Sequence, residues 1–336
     1  MSFREELEQQ YKQILRGFLK NPTEEALYQA QNFSKKAIEQ GISPEEIINI
    51  HRNGLMDDIS LNEGDTIQTF ELLLEVMMGY GLRFREYQSL RFKQEELKTE
   101  MEIAANVQQT LLDTDIPQID CLDIGAISVP AKHMNGDYFH FVHDDNNCVS
   151  IAIADVIGKG IPAALCMSMI KYAMDSLPEH RPDPRYVLEN LNRVVEQNVD
   201  PSMFVTMFYG MYNPVSHTFT YSSAGHEPGI YYHANSDSFE EIEARGLMLG
   251  VDRHTKYRQY VKYIQPNDMI ILMSDGVTEC RTDDGFIERE ALLKSMRKYI
   301  HSNAQEMVNQ IYKELEKLQD FELRDDFTLI VLKRKV

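Results

Sequence analysis

Val149-Ser150-Ile151-Ala152-Ile153-Ala154-Asp155-Val156-Ile157-Gly158-Lys159-Gly160 is the stretch that decides the fold of the larger part of this chain. From Val149 to Ala154 large and small side chains alternate, the pattern of a strand in the core of a sandwich. The Asp155 carboxylate then stands where that strand meets a glycine-rich turn. Outward from it, residues 203–212, 219–223, 269–273 and 327–332 read as further strands, with helices predicted over 162–176, 184–198 and 304–318. Strand runs mixed with helix pairs predict an α+β domain with mostly antiparallel sheets. The span 201–226 carries no Asp, Glu, Lys or Arg and is long enough for a bilayer. Asn213-Pro214 and a crowd of Ser, Thr and His interrupt it, so it reads as two strands joined by a turn.

Before residue 117 the pattern is helical. Phe3, Leu7, Tyr11, Ile14, Leu15 and Phe18 form one apolar stripe, stopped by Asn21-Pro22. Thr23 with Glu24 and Glu25 opens a second helix that Gly41 ends, and Ser43-Pro44-Glu45-Glu46 is a strong start for a third. A fourth begins near Asp65 and runs on unbroken, so the front of the chain is expected to be a four-helix bundle. Along that last helix Tyr87, Leu90, Gln94, Leu97, Met101, Ala104, Gln108 and Leu111 recur at spacings of three and four. A parallel coiled-coil seam is the preferred reading; a one-sided helix lying on its own domain is the alternative.

Acidic side chains outnumber basic ones 53 to 34, for a net charge of -19. That balance argues against a binder of nucleic-acid backbones or anionic membranes, both of which use basic surfaces. Four cysteines, widely spaced and with no CxxC pair, are too sparse for a disulfide framework or a structural zinc site. The opening residues hold no apolar signal core, and a cytoplasmic protein is expected.

No cysteine is followed by arginine six positions on, and no G-x-S-x-G elbow, H-E-x-x-H helix or G-x-x-x-x-G-K-[ST] loop occurs. What remains is a set of aspartates at strand ends: Asp137 after a strand-like segment, Asp155, Asp275 after residues 269–273, and Asp325-Asp326 before the final strand. Taken singly, each is a turn former or helix cap. Taken together, they offer hard oxygen ligands of the kind that Mg²⁺ and Mn²⁺ select. His226 can be read as a general acid or as a histidine fixing its turn.

Asn135-Gly136-Asp137-Tyr138, the run from Ala154 to Ala164, Ala224-Gly225-His226-Glu227-Pro228, the run from Ser274 to Glu279, and Asp325-Asp326-Phe327-Thr328 occur in that order. Together they resemble the metal-dependent serine/threonine phosphatases of the PPM (PP2C-like) superfamily, in its bacterial SpoIIE-type branch. The helical front and residues 104–112 resemble those of the branch members that switch on the general stress response. The resemblance implies three parts: a partner-binding and dimerisation bundle over 1–82, a coiled-coil linker over 83–116, and a PP2C-like β-sandwich flanked by helices over 117–336.

By the same resemblance, Asp155 would bridge two Mn²⁺ or Mg²⁺ ions, with the Val156 carbonyl completing one site. Asp275 and Asp325 would hold the ions from the opposite sheet, and Asp137 would bind directly or through water. Asp326, counted with these metal-binding residues, stands where eukaryotic relatives carry asparagine, and no equivalent of their phosphate-binding arginine is evident. The helix bearing Pro162, Ala163, Met167 and Met169 resembles the branch's regulatory switch, while its methionines also suit core packing. The implied substrate is a phosphorylated STAS-domain anti-anti-sigma factor (RsbV-like). The implied activator is an RsbT-like kinase homologue bound to the bundle, which would order a homodimeric linker through Leu90, Leu97, Met101 and Ala104. Two rival readings are a non-catalytic adaptor with a degenerate phosphatase fold and a small-molecule phosphoesterase.

Overall fold

A computed structural model of the chain describes residues 3–56, 63–131, 134–144, 147–158, 160–177, 183–200, 202–282, 285–321 and 323–336. Lys159 of the glycine-rich turn lies outside them. Packing divides the chain into two compact units, Met1–Thr99 and Glu100–Val336.

The first unit is helical: α1 (Phe3–Lys20), α2 (Glu24–Glu39), α3 (Pro44–Met56) and the 50-residue α4 (Glu63–Leu112), whose last residues belong to the second unit. The start signals act as their chemistry predicts. The Ala26 N–H donates to Thr23 Oγ1. Ser43 and Glu46 form a reciprocal capping box, the Glu46 N–H on Ser43 Oγ at 3.3 Å and the Ser43 N–H on Glu46 Oε2 at 3.1 Å. The α1 stripe Leu7, Tyr11, Ile14, Leu15 and Phe18 is buried against Phe33, Ala37, Ile47, Leu72 and Val76. Tyr11, whose ring is fully buried, hydrogen-bonds His51 Nδ1 through its hydroxyl at 2.7 Å.

The second unit runs β1 (Leu122–Val129), β2 (Asp137–His143), β3 (Val149–Val156), α5 (Ile161–Asp175), α6 (Pro184–Asn198), β4 (Val205–Asn213), β5 (Thr218–Ala224), β6 (Gly229–His233), β7 (Ser238–Ile242), β8 (Tyr260–Tyr263) and β9 (Met269–Met273). It continues with α7 (Asp275–Thr278), β10 (Arg281–Thr282), β11 (Gly285–Phe286), α8 (Arg289–Lys298), α9 (Ala304–Leu318) and β12 (Phe327–Arg334). One five-stranded sheet has the order β1-β12-β9-β6-β7 and another β2-β3-β4-β5-β8, while β10 and β11 pair separately. Every pairing in the two large sheets is antiparallel.

The alternation in β3 has a direct packing cause. Ile151 and Ile153 enter the core between the sheets with Phe208, Phe219, Leu272 and Ile330. Ala152, Ala154 and Val156 face the other way, beneath Ala163, Met167, Ile170, Val187 and Val195 of α5 and α6. Small side chains on that face let two helices lie close to the sheet, and burial of both faces makes this strand apolar throughout. On the outer face of the other sheet, Met307, Val308 and Ile311 of α9 pack on Phe327, Leu329 and Val331. The methionines of α5 thus sit in a core; Met167 is fully buried. One expectation is corrected: Asp137 does not follow a strand but opens β2, because its pairing with Asp155 is where the β2–β3 ladder begins.

Candidate active site

Strand parity gathers Asp137, Asp155 and Thr206 at one end of the sandwich. Asp155 shares the inward face of β3 with Ile151 and Ile153, and its register partners are Asp137 on β2 and Thr206 on β4. Side chains on directly paired residues lie next to each other. The ladder therefore forces two carboxylates and a hydroxyl into one row. His226 closes the row from behind, its Nδ1 2.9 Å from Thr206 Oγ1. Burial pushes the imidazole down to about 4, against a backbone contact at Met273. It is neutral at physiological pH and fixes its neighbours, which makes it a poor general acid.

The opposite sheet ends in hydroxyls. Ser128 and Thr328 are register partners on β1 and β12, with their oxygens 2.9 Å apart. Ser274, the residue after β9, accepts the Thr328 N–H at 3.0 Å and donates to the Asp326 carbonyl. Asp275 begins α7, and Gly276 behind it has no room for a side chain: a Cβ there would lie 2.1 Å from the Asp326 carbonyl oxygen. That close approach presses the start of α7 against the Asp325–Asp326 backbone.

Asp326 has a definite task. Its two carboxylate oxygens accept the N–H groups of Ala131 at 2.7 Å and Gly136 at 2.5 Å. It thereby ties the end of the sandwich to the residue immediately before Asp137. A Cβ on Gly136 would sit 3.2 Å from Asp326 Oδ2 and 3.5 Å from Asp155 Oδ1, so these two carboxylates flank the same point.

The donor set suits a hard divalent cation. Asp137 is 2% exposed, and among the described residues its Oδ2 has no hydrogen-bond partner. Burial, with the charges of Asp155 and Asp326, holds this carboxyl well above the usual carboxylate range, although Ser274 and Thr328 hydrogen bonds pull the other way. A buried, under-satisfied carboxylate among other carboxylates is a group that a bound cation would stabilise. Beside it opens a cleft of about 480 Å³ lined by Asp155, Val156, Asp325, Asp326, Arg324 and Met101. Asp137 and Asp275 stand outside that lining. Among the described residues no three Asp, Glu, His or Cys side chains are gathered closely enough to hold a metal ion by themselves. The carboxylates stand instead as adjoining pairs, an arrangement that leaves coordination positions to water and backbone carbonyl. Glu227 adds to the negative field: burial, then Asp275, Glu279 and Glu241, raise its carboxyl.

Comparison with known proteins agrees with this geometry. The family model for stage II sporulation protein E (SpoIIE) matches residues 145–335, and that for the N-terminal domain of phosphoserine phosphatase RsbU matches residues 9–83. Phosphoserine phosphatase RsbU of Bacillus subtilis (strain 168) is 59% identical over 336 residues, 100% of both chains. The chain belongs to the SpoIIE-type phosphatases. Among solved structures, the SiaA-PP2C domain of Pseudomonas aeruginosa shares the fold at a TM-score of 0.62 and 16% identity, covering 72% of this chain and 98% of that one. The RsbU and RsbW domains of Rv1364c from Mycobacterium tuberculosis share it at a TM-score of 0.56 and 23% identity, covering 66% and 63%.

In this SpoIIE-type phosphatase the seam read along α4 divides. Leu90 and Leu97 are 66% and 62% exposed, whereas Met101 and Ala104 are half-buried and Gln108 is only 4% exposed. The C-terminal part of the stripe therefore lies on its own unit, and Gln108 is taken up by Asn135. Pro162 is exposed at the start of α5, Ala163 and Met167 are buried, and Met169 is half-buried. Sequence reasoning assigned no role to Ser128, Asn135, Ser274 or Thr328. Three of these lay inside the quoted motifs, but hydroxyls and amides are too common for spacing alone to mark them. No helix among the described residues is long and apolar enough to cross a membrane.

Proposed function

We propose that this chain is a metal-dependent protein-serine phosphatase. Its substrate is the phosphorylated form of a STAS-domain anti-anti-sigma factor (RsbV-like), and its product releases the general stress sigma factor. The observation that carries the reading is the Asp137–Asp155 cross-strand pair, with one buried carboxylate oxygen that has no hydrogen-bond partner among the described residues, in a chain 59% identical to an RsbU over its full length. Two Mn²⁺ or Mg²⁺ ions would be held by Asp137, Asp155, the Val156 carbonyl, Asp275 and Asp325. When bound, such ions lower the pKa of a coordinated water and offset phosphoryl charge, so no covalent phosphoenzyme is required. The chain's own part is positional. Asn135 and Asp326 order the approach to Asp137 by accepting its N–H and that of Gly136, and neutral His226 steadies the Asp155 row.

An RsbT-like kinase homologue is the proposed activator, docked on the helical unit, where α4 leaves Ile67, Phe70, Leu74 and Met78 exposed. The same helix, through Leu90 and Leu97, would pair two copies in a cytoplasmic homodimer whose state reaches α5. The presence of RsbU and RsbW domains together in the Mycobacterium tuberculosis protein supports this partner-switching setting. The test is phosphate release from the phosphorylated STAS protein, with and without activator, across a Mn²⁺ titration. Release that needs both Mn²⁺ and activator is expected. A chain that binds both proteins yet releases nothing is an adaptor, and one that prefers a generic aryl phosphate is a small-molecule phosphoesterase; either result refutes the proposal.

A further inference from the structure

Gln108 differs from its neighbours near the end of α4. Asn106, Val107, Gln109 and Thr110 are exposed, while Gln108 is buried and spends its whole amide on one residue. Its Nε2 donates to the Asn135 carbonyl at 2.7 Å, and its Oε1 accepts the Asn135 N–H at 3.1 Å. This is a side-chain copy of a β-bridge, with both backbone groups of Asn135 satisfied by a single helix residue. Asn135 then sends its own side chain into the site. Its Oδ1 accepts the Asp137 N–H at 3.0 Å and its Nδ2 donates to Ser128 Oγ at 2.8 Å. Ser128 is hydrogen-bonded in turn to Thr328, its register partner on β12.

We infer that Gln108 is a positioning residue for the metal site: it sets the entry to β2, and hence Asp137, according to where the end of α4 lies. The inference rests on the metal-phosphatase reading above. Asp326 grips Gly136 from the cleft side and Gln108 grips Asn135 from the helix side, so the two residues before Asp137 are tied from opposite directions. A side chain reaching from a helix meets this geometry in one rotation and one height only. Since each residue turns an α-helix by about 100° and advances it by about 1.5 Å, a one-residue displacement of α4 takes the amide out of reach. Asn135 would then lose both backbone partners, and Asp137 its alignment.

The experiment compares full-length wild type with Gln108→Leu, Gln108→Glu and, as a control at an exposed neighbour, Gln109→Leu. Mn²⁺ binding to the metal-free protein is measured by calorimetry, together with the thermal midpoint in chelator and the Mn²⁺ dependence of turnover. Loss of a partner that orients a ligand weakens metal binding by about tenfold or more. Gln108→Leu is therefore expected to raise the Mn²⁺ dissociation constant by about that factor. Turnover at saturating Mn²⁺ and KM for the phosphoprotein should stay near wild type. Gln108→Glu keeps the acceptor and loses only the donor, so it should fall between, and it remains informative where the leucine variant does not fold. Gln109→Leu should match wild type. Unchanged Mn²⁺ affinity in a folded Gln108 variant, whatever its thermal midpoint, overturns the inference and leaves the phosphatase reading intact. A wild type that takes up no Mn²⁺ overturns both.

Discussion

The two sheets of the sandwich meet at the same end with different chemistry. One contributes Asp137 and Asp155, locked side by side by register; the other contributes Ser128, Thr328 and Ser274. The carboxylate sheet carries the charge that would face a metal ion. The hydroxyl sheet reaches the entry to β2 through Ser128 and Asn135, while among the described residues Asp137 Oδ2 has no hydrogen-bond partner. Asp275 and Asp325, at the ends of β9 and β12, would add their charge from this second sheet, so only packing of the two layers completes the site. A substitution in the Asp137–Asp155 pair should remove the site's chemistry, and one at the hydroxyls of the second sheet should loosen it.

The largest effect is expected on the carboxylate side. Asp155→Ala should lower Mn²⁺-dependent phosphate release by more than about a hundredfold, beyond the loss seen for outer partners of a metal ligand. Its circular dichroism and thermal midpoint should stay close to wild type, because Asp155 sits at the strand end and not in the apolar core. A variant that kept full turnover at saturating Mn²⁺ would break the comparison at its stronger half.

Thr328→Val tests the other layer. It keeps the shape and the strand but removes the hydroxyl bonded to Ser128, and with it one end of the chain that runs through Asn135 to the Asp137 N–H. About a tenfold weaker Mn²⁺ dependence is expected, with turnover recovering at high Mn²⁺. A loss as deep as that of Asp155→Ala would mean that the hydroxyl layer takes a direct part in the chemistry, and the division of labour would fail.

The smallest effect concerns His226, behind the carboxylate row. Its folded value of about 4 lies below the ordinary histidine value of 6.5, so between them the unfolded chain holds the extra proton. Stability from this group is full above pH 6.5 and is lost as pH falls towards 4, with a limiting slope of about 1.4 kcal/mol per pH unit. His226→Asn should flatten that part of the stability–pH curve, measured by denaturant unfolding. An unchanged slope would show that the imidazole protonates freely in the folded protein and is open to a catalytic role.

Much of this was legible in the linear chain because local chemistry was strong there. The Ser43–Glu46 capping box, the α1 stripe and the alternation of β3 each follow from neighbours within a few residues. β6, β7 and β8 escaped notice because strands of four or five residues are too short for an alternation to stand out. Gln108 was read as part of a seam because helical periodicity cannot tell which body covers a face. The end of α4 lies on the sandwich unit, so the same spacing that suits a coiled coil there serves a contact with Asn135.

The sequence by itself determined the division into a helical front and an α+β body, and it marked Asp137, Asp155, Asp275 and Asp325 as the residues of interest. Period, caps and motif order are local or additive, so one dimension holds them. The tertiary structure alone decided that Asp137 pairs with Asp155, that hydroxyls face them from the other sheet, that Asp326 serves backbone N–H groups, and that Gln108 reaches the entry to β2. Those facts depend on strand register and sheet packing between residues up to 200 positions apart, as in the Ser128–Thr328 pair. No spacing rule encodes such distances; burial of the two apolar faces does.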